Sequence, residues 1–317
     1  MTEVITHSDA PSTGRRVTSK PQGPSVLRRE RRAGLLFVTP FFATFLLFFF
    51  LPLAYAFYLS LFQDKLVGGT VFSGFDNYTK AIEDSQLWGG VRRTLVYGVI
   101  QVPTMLGLSL LIALALDSGK LWASKLFRIG VFLPYAVPSV VAALMWGYLY
   151  GPDFGPFAQI ATDLGHSAPK FLSDTWILPS LANVATWTYC GYNAIILYAA
   201  LRGISPEQYE AASIDGCGAI RTAWHIKIPS IASALVLTLV FSVIGTLQLF
   251  VEPNIFQTLA PTVIGPAFTP NLYAYTTAFT NQSYGYSAAI SFVLGAIIVV
   301  FSYAVITVSA RRGRTRT

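Results

Sequence analysis

Charge is scarce in this 317-residue chain. Asp, Glu, Lys and Arg make up 12% of it, against 53% hydrophobic residues and a mean hydropathy of +0.54. Ordinary soluble domains carry about 25% charged residues, so the balance excludes that class and points to a polytopic membrane protein. Cysteine is scarcer still. Cys190 and Cys217 provide neither a disulfide framework nor a four-thiolate metal site. The three histidines, His7, His166 and His225, form no pair with metal-ligand spacing, so no metal or cofactor is expected. The pattern Gly, four residues, Gly-Lys-Ser/Thr is absent, which excludes ATP binding by a P-loop in this chain. No nucleophile stands with a base, and no carboxylate cluster occurs, so an enzyme is not expected. No Asp, Glu, Lys or Arg falls near the middle of any long apolar run, which argues against the proton or sodium site of a secondary transporter and against a charged cargo.

What is present is long uncharged sequence. Runs extend from Ala33 to Gln63, Thr94 to Leu116, Ile129 to Pro152, Thr175 to Leu201 and Ile228 to Val251. Each is long enough for a helix through ~30 Å of hydrocarbon. The run from Pro253 to Ala310 divides, because Pro253, Pro261, Pro266, Pro270, Asn254 and Asn271 predict an irregular loop ahead of a sixth span, Tyr286 to Ser309. The fold class is therefore an all-α polytopic membrane protein with six transmembrane helices. The first run is far longer than a signal-peptide core and is read as a retained span.

Seventeen of the 22 basic residues lie in the segments that share a side with the N-terminus, and basic residues near span ends are retained in the cytoplasm. Both termini are thus expected inside. Residues 1–32 read as a disordered basic tail whose Arg28, Arg29, Arg31 and Arg32 meet anionic membrane lipids, and 311–317 as a second basic tail. The net charge of +7 follows from this asymmetry, and no nucleic acid is implied. Arg92 and Arg93 fall on the outer side, or else the second span begins later than Thr94.

Between the fourth and fifth runs lies YEAASIDGCGAIRTAWHIKIP. Ser205, Pro206, Glu207 and Gln208 predict a capped helix start, with Gln208 reaching back to the Ser205 cap. Gly216 suits the left-handed turn that closes the helix, and a second short helix runs from about Ala219 towards Pro229. Ala211 and Ala212 leave part of the first helix flat enough for a partner's groove, and Glu210 supplies a charge for it. An ordinary connector, or a DNA-binding helix-turn-helix, is the competing reading.

The spacing in this stretch resembles the EAA loop of the permease subunits of bacterial ABC importers. Glu210, Ala211 and Ala212 are followed after three residues by Gly216, and after nine more by Ile226, Lys227, Ile228 and Pro229. Ile228 replaces the family's Leu. The opening TPFFATFLLFFFLPLAYAFYLSLFQD, the segment GFDNYTKAIED, and Gly191-Tyr192-Asn193 leading towards Ile214-Asp215-Gly216 are similar to the carbohydrate-type subgroup, which also includes glycerol-phosphate importers. The resemblance covers roughly 33–310 and implies a permease domain there, with Glu210, Ala211, Ala212, Asp215 and Gly216 coupling it to a motor. It implies as partners a second homologous permease, two cytoplasmic ATPase subunits that use the ATP, and an extracytoplasmic solute-binding protein. The cargo would be a sugar, di- or oligosaccharide in size. The alternatives are a non-sugar solute such as glycerol phosphate, or a secondary transporter.

Helix periodicity suggests a path for that cargo. At 100° per residue, Asn183, Thr186, Trp187, Cys190 and Asn193 share an arc of about 120° on the fourth span. Thr238, Ser242, Gly245 and Glu252 share a face on the fifth, and Ser287, Ser291 and Gly295 on the sixth. Amides and hydroxyls hydrogen-bond sugars, and Trp187 offers a stacking face. Small residues at such spacing also serve plain helix packing, and Glu252 also suits a hydrated helix end.

Overall fold

A computed structural model describes residues 24–65, 68–119 and 121–314. They form two units, one ending at Tyr55 and one beginning at Ala56. In the first, α1 (Pro24–Phe45) passes through a π-helical turn (Leu46–Phe50) into α2 (Leu51–Ser60), whose last residues, from Ala56, belong to the second unit. Gly34–Ser60 is long and apolar enough to cross a membrane. Phe41 stacks on Phe45, and Phe45 on Phe49, at the four-residue spacing that places side chains on one helix face. The helix begins at Pro24, so part of the expected disordered tail is helical. Residues 1–23 of that tail lie outside the described residues.

The second unit departs from an all-α chain at once, with an antiparallel hairpin of β1 (Phe62–Lys65) and β2 (Gly69–Phe72) in which Phe62 faces Phe72. Next comes α3 (Asp76–Glu83). Within GFDNY, Asn77 is buried and its Nδ2 donates to the carbonyls of Ser60 and Phe62, both at 2.8 Å. Its amide thereby satisfies backbone acceptors where the preceding helix ends.

The second span is longer than its uncharged run. The helix α4 (Ser85–Asp117) starts nine residues before Thr94, because Asp84 caps it by accepting from the Gln86 N–H at 2.8 Å. Arg92 and Arg93 therefore lie inside the helix, and Arg93 Nη1 donates to the carbonyls of Ala267 and Phe268 at 3.0 and 2.9 Å. Asp84 also accepts from the hydroxyls of Tyr273 and Tyr286 at 2.6 and 2.5 Å. Burial raises its pKa, but these hydroxyls and the Gln86 and Leu87 N–H groups lower it by more, leaving the carboxyl below the ordinary value.

The third run is broken. In it, α5 (Ser124–Phe132) leads through a 3-10 segment (Leu133–Ala136) to α6 (Ser139–Leu149), with a 95° bend where Pro134 and Pro138 interrupt the helical hydrogen bonds. A short α7 (Pro156–Asp163) precedes α8 (Ile177–Leu201), the fourth run. The loop segment contains α9 (Pro206–Ile214), α10 (Ala219–Thr222), a π-helical turn (Ala223–Lys227) and α11 (Ile228–Ser230). A 70° bend then leads into α12 (Ala232–Leu247).

The segment after Pro253, expected to be an irregular loop, instead forms α13 (Val251–Leu259) and α14 (Pro270–Phe279). Pro270 sits at the first position of α14, where it removes no helical hydrogen bond, and Thr269 caps the helix by accepting from the Leu272 N–H. Proline thus begins a helix here where composition alone suggested breakage. The final helix, α15 (Tyr284–Arg314), extends into the tail expected from 311, and 315–317 lie outside the described residues.

Among the described residues, three single helices are long and apolar enough to span a membrane, or up to five spans if each bent pair counts as one. The fourth run is helical but does not join them, because polar residues such as Ser180, Asn183, Thr186, Thr188 and Asn193 lower its hydropathy; more than half of α8 is buried by protein, those polar residues other than Asn183 included. A helix shielded from lipid can afford those polar groups.

Apolar side chains gain little by leaving lipid, so close approach and hydrogen bonds must hold such helices together. Ser109 Oγ of α4 donates to the Cys190 carbonyl of α8 at 2.9 Å. At Gly191 an added Cβ would lie 1.8 Å from the Val131 carbonyl oxygen, so only glycine lets α5 approach α8 this closely. A buried cluster of Tyr150, Leu181, Val184, Phe256, Ile264 and Leu272 joins α8, α13 and α14.

Candidate functional site: a helical surface loop and a polar cavity

The loop is built by its own local sequence. Pro206 opens α9, and the helix closes on Gly216 at φ +70°. The Cys217 N–H donates to the Ala212 carbonyl at 2.9 Å, and the Gly216 N–H to the Ser213 carbonyl at 3.1 Å. That pair of bonds is the Schellman arrangement, which needs a left-handed residue where Gly216 stands. The expected capping box does not form. Ser205 makes no side-chain cap, and its hydroxyl bonds the Glu207 carboxylate, which, after Glu207's own backbone N–H, lowers that carboxyl's pKa.

Glu210, Ala211, Asp215 and Gly216 are exposed, whereas Ala212 is buried. The flat face expected from the two alanines is therefore offered by Ala211 alone, and Ala212 packs inward. Large apolar residues that periodicity did not single out share the exposed surface: Ile214 is 86% exposed, Ile220 78% and Trp224 66%. Gly216, Gly218, Ala219, Ile220, Arg221, Trp224 and His225 line a shallow concavity there.

A charge pair ties the loop to α4. Lys227 Nζ lies 2.5 Å from Asp117 Oδ2, and also 5.2 Å from the centroid of the Tyr209 ring. Burial, then the nearby Asp117 charge, raises the pKa of the Tyr209 phenol. The sequence contained a signal for this pair, since Asp117 ends one uncharged run and Lys227 stands just before another, but only the fold shows that they meet.

The second feature is a cavity of about 340 Å3. Tyr97, Gln101 and Met105 of α4 line it, with Tyr135 and Ser139 from the broken third run and Ala185, Tyr189, Tyr192 and Asn193 from α8. Phe241, Ser242, Gly245 and Thr246 of α12 and the stretch Gln248 to Glu252 complete the wall. Tyr135 stacks on Tyr192 with centroids 4.6 Å apart. Thr246 Oγ1 donates to Gln101 Oε1 at 3.1 Å, and Asn193 Nδ2 to the Tyr189 carbonyl at 3.1 Å. Among the described residues, the lining contains one acid, Glu252, which is 8% exposed, and no Lys, Arg or His. Such a surface offers hydroxyls, amides and aromatic faces and would repel an anion.

Of the residues expected along a path, the cavity brings together Asn193, Ser242 and Glu252. Asn183 and Trp187 lie elsewhere. Asn183 Nδ2 donates to the Tyr150 hydroxyl at 2.8 Å, and Trp187 meets Trp146 edge to face at 5.9 Å. The 120° arc was too wide to share one neighbour, since Trp187 and Asn193 differ by about 120° around the helix. Ser287 donates to the Ala274 carbonyl at 2.6 Å, joining α15 to α14, and borders a separate depression. Tyr97, Gln101, Tyr135 and Gln248 were missed because they come from three distant stretches of chain, the first two from α4 and the others from the third run and the segment after α12.

Residues 105–312 match the family described as binding-protein-dependent transport system inner membrane component. The chain is 30% identical over 259 residues to the diacetylchitobiose uptake system permease protein NgcF of Streptomyces coelicolor, covering 76% of this chain and 72% of that one. It is 30% identical over 279 residues to the lactose transport system permease protein LacF of Rhizobium radiobacter, covering 85% and 91%. Its fold matches a chain in the crystal structure of a bacterial ABC transporter involved in the import of the acidic polysaccharide alginate, with a TM-score of 0.77 at 20% identity over 90% of this chain and 99% of that one. With the EAA spacing standing on an exposed helix-turn-helix, the chain belongs to the binding-protein-dependent transport system inner membrane components, the permease subunits of ABC importers, which are not enzymes.

Proposed function

We propose that this chain is one of two permease subunits of an importer in a bacterial cytoplasmic membrane, moving a neutral di- or oligosaccharide by ATP-driven alternating access. The observation that carries this reading is continuity between loop and cavity. The exposed segment from α9 to α11 runs through the 70° bend directly into α12, and α12 walls the cavity. A motor that grips the loop can therefore move a cavity wall, which is how a packed helical element transmits a switch.

In this scheme six spans cross the membrane, with α8 enclosed, and both termini and the loop face the cytoplasm. ATP is bound by separate subunits, each docked on an EAA loop through contacts that include Glu210, Ala211 and Asp215. A second permease and an extracytoplasmic solute-binding protein complete the assembly, the latter supported by the family's dependence on such proteins. Support for a sugar comes from the tyrosine- and amide-rich lining and from relatives named for diacetylchitobiose and lactose. A glycerol phosphate is disfavoured by Glu252 and the absence of a cation in the lining.

Reconstitution tests the proposal. The complex in proteoliposomes, with ATP on the loop side and binding protein on the other, should accumulate a labelled disaccharide and not its uronic-acid counterpart. Uptake that followed an ion gradient without nucleotide would remove the reading.

A further inference from the structure

Asp117 is the last residue of the 33-residue helix α4. A carboxylate there sits at the negative end of the helix dipole, where it is destabilising. Its placement is therefore not explained by the helix it ends, and Lys227 supplies the compensation. The two side chains are mostly withdrawn from solvent, Lys227 at 15% and Asp117 at 6% exposure. A pair shielded in this way is held more firmly than a surface pair and is screened less by salt. Beside it, Ala113, Leu197, Leu201 and Ile231 form a buried apolar cluster.

Three elements meet at this pair. Asp117 ends α4, Lys227 ends the π-helical turn Ala223–Lys227, and Tyr209, whose ring faces the Lys227 ammonium, lies in α9 next to Glu210. Both helices leading away from the junction reach the cavity. Tyr97, Gln101 and Met105 are on α4, and Phe241, Ser242, Gly245 and Thr246 are on α12 beyond the 70° bend. The chain connects the loop to α12 covalently, whereas the Asp117–Lys227 pair connects it to α4 through side chains.

We propose that Asp117 and Lys227 are positioning residues that force α4 to follow the loop, so that two walls of the cavity move together when the motor closes. The pair makes no contact with cargo or nucleotide. Without it the loop and α12 still move, α4 lags, and ATP is spent without completing the switch. This inference rests on the coupling role of the loop proposed above.

The test uses the assembled complex in proteoliposomes with its binding protein, and reads sugar imported per ATP hydrolysed. Asp117→Asn and Lys227→Gln are expected to keep binding-protein-stimulated ATPase within about twofold while import falls about tenfold, within the range of coupling energies between sites. Lys227→Arg, which keeps the charge, should retain most of the ratio. A residue with a merely structural role would lower ATPase and import in the same proportion, and that result overturns the proposal, as does an unchanged ratio. If a single variant does not assemble, the charge swap Asp117→Lys with Lys227→Asp decides. A ratio within about threefold of wild type supports the pair, and a swapped complex that is uncoupled or unassembled overturns it. Glu210→Ala separates the two levels of argument. Coupling lost in Glu210→Ala but kept in the pair variants removes this inference alone, whereas coupling kept in Glu210→Ala removes the loop reading beneath it.

Discussion

Substitutions at Gly216 offer a graded test of whether the loop's shape matters apart from its chemistry. The residue sits at φ +70°, and an added Cβ would meet nothing within 4 Å. Any penalty therefore comes from the backbone alone. An L-residue held in the left-handed region costs roughly 1–2 kcal/mol, less for Asn, and more for a β-branched side chain. At 1.36 kcal/mol per decade, that shifts the loop's equilibrium away from its native turn by about 5-fold to 30-fold. Gly216→Asn should thus stay close to wild type, Gly216→Ala should fall between, and Gly216→Val should be poorest. The assay is retention of the ATPase subunit on the purified permease pair, followed by sugar imported per ATP. Insertion should be equal in all three, because the loop lies outside the spans. If Asn proved no better than Val, the left-handed turn would not be the cause, and if all three matched wild type the loop's geometry would be irrelevant to coupling.

Asn193→Ala and Glu252→Gln should each raise the half-saturating sugar concentration about fivefold to tenfold through loss of a hydrogen bond of about 1 kcal/mol, whereas Asn183→Ala and Ser287→Ala change it less than twofold. Transport kinetics of the four variants check this, and equal effects across them would move the site away from the cavity. Gly191→Ala should lower the thermal unfolding temperature in detergent, because its Cβ would fall 1.8 Å from the Val131 carbonyl and overpacking costs typically 1–3 kcal/mol. An unfolding temperature within error of wild type would show that α5 yields easily. The depressed pKa of Asp84 means that its ionised form stabilises the fold. That stability is fully present above the unfolded value of about 3.9 and is lost as pH falls through the lower folded value. Asp84→Asn should therefore unfold at lower temperature than wild type at pH 7, with the gap narrowing below pH 4. A constant gap across that range would mean that the two tyrosine hydroxyls do not act through the charge.

Much of the protein was legible in its sequence because the governing effects are local. A scarcity of charge sets the solvent in which the helices sit, and the EAA spacing with Gly216 specifies a helix, a left-handed turn and a second helix from nearest neighbours alone. The errors share a cause. Prolines after Glu252 were read as breakers, yet Pro270 begins α14, and whether a proline starts or stops a helix depends on where the preceding cap falls. Thr94 was taken as a span boundary because Arg92 and Arg93 precede it, but carbonyls from Ala267 and Phe268 satisfy Arg93 inside the helix.

What the sequence alone determined, then, is membrane class, the loop and the family resemblance, all of which arise from composition and from contacts within a few residues. Only the tertiary structure decided which polar residues face one cavity, that Asn183 and Trp187 turn to Tyr150 and Trp146 instead, and that Asp117 finds Lys227 across 110 positions. A helix period orders the faces of one helix but carries no information about which neighbour each face meets. That is settled by close packing at points such as Gly191, where two backbones approach only because a side chain is missing.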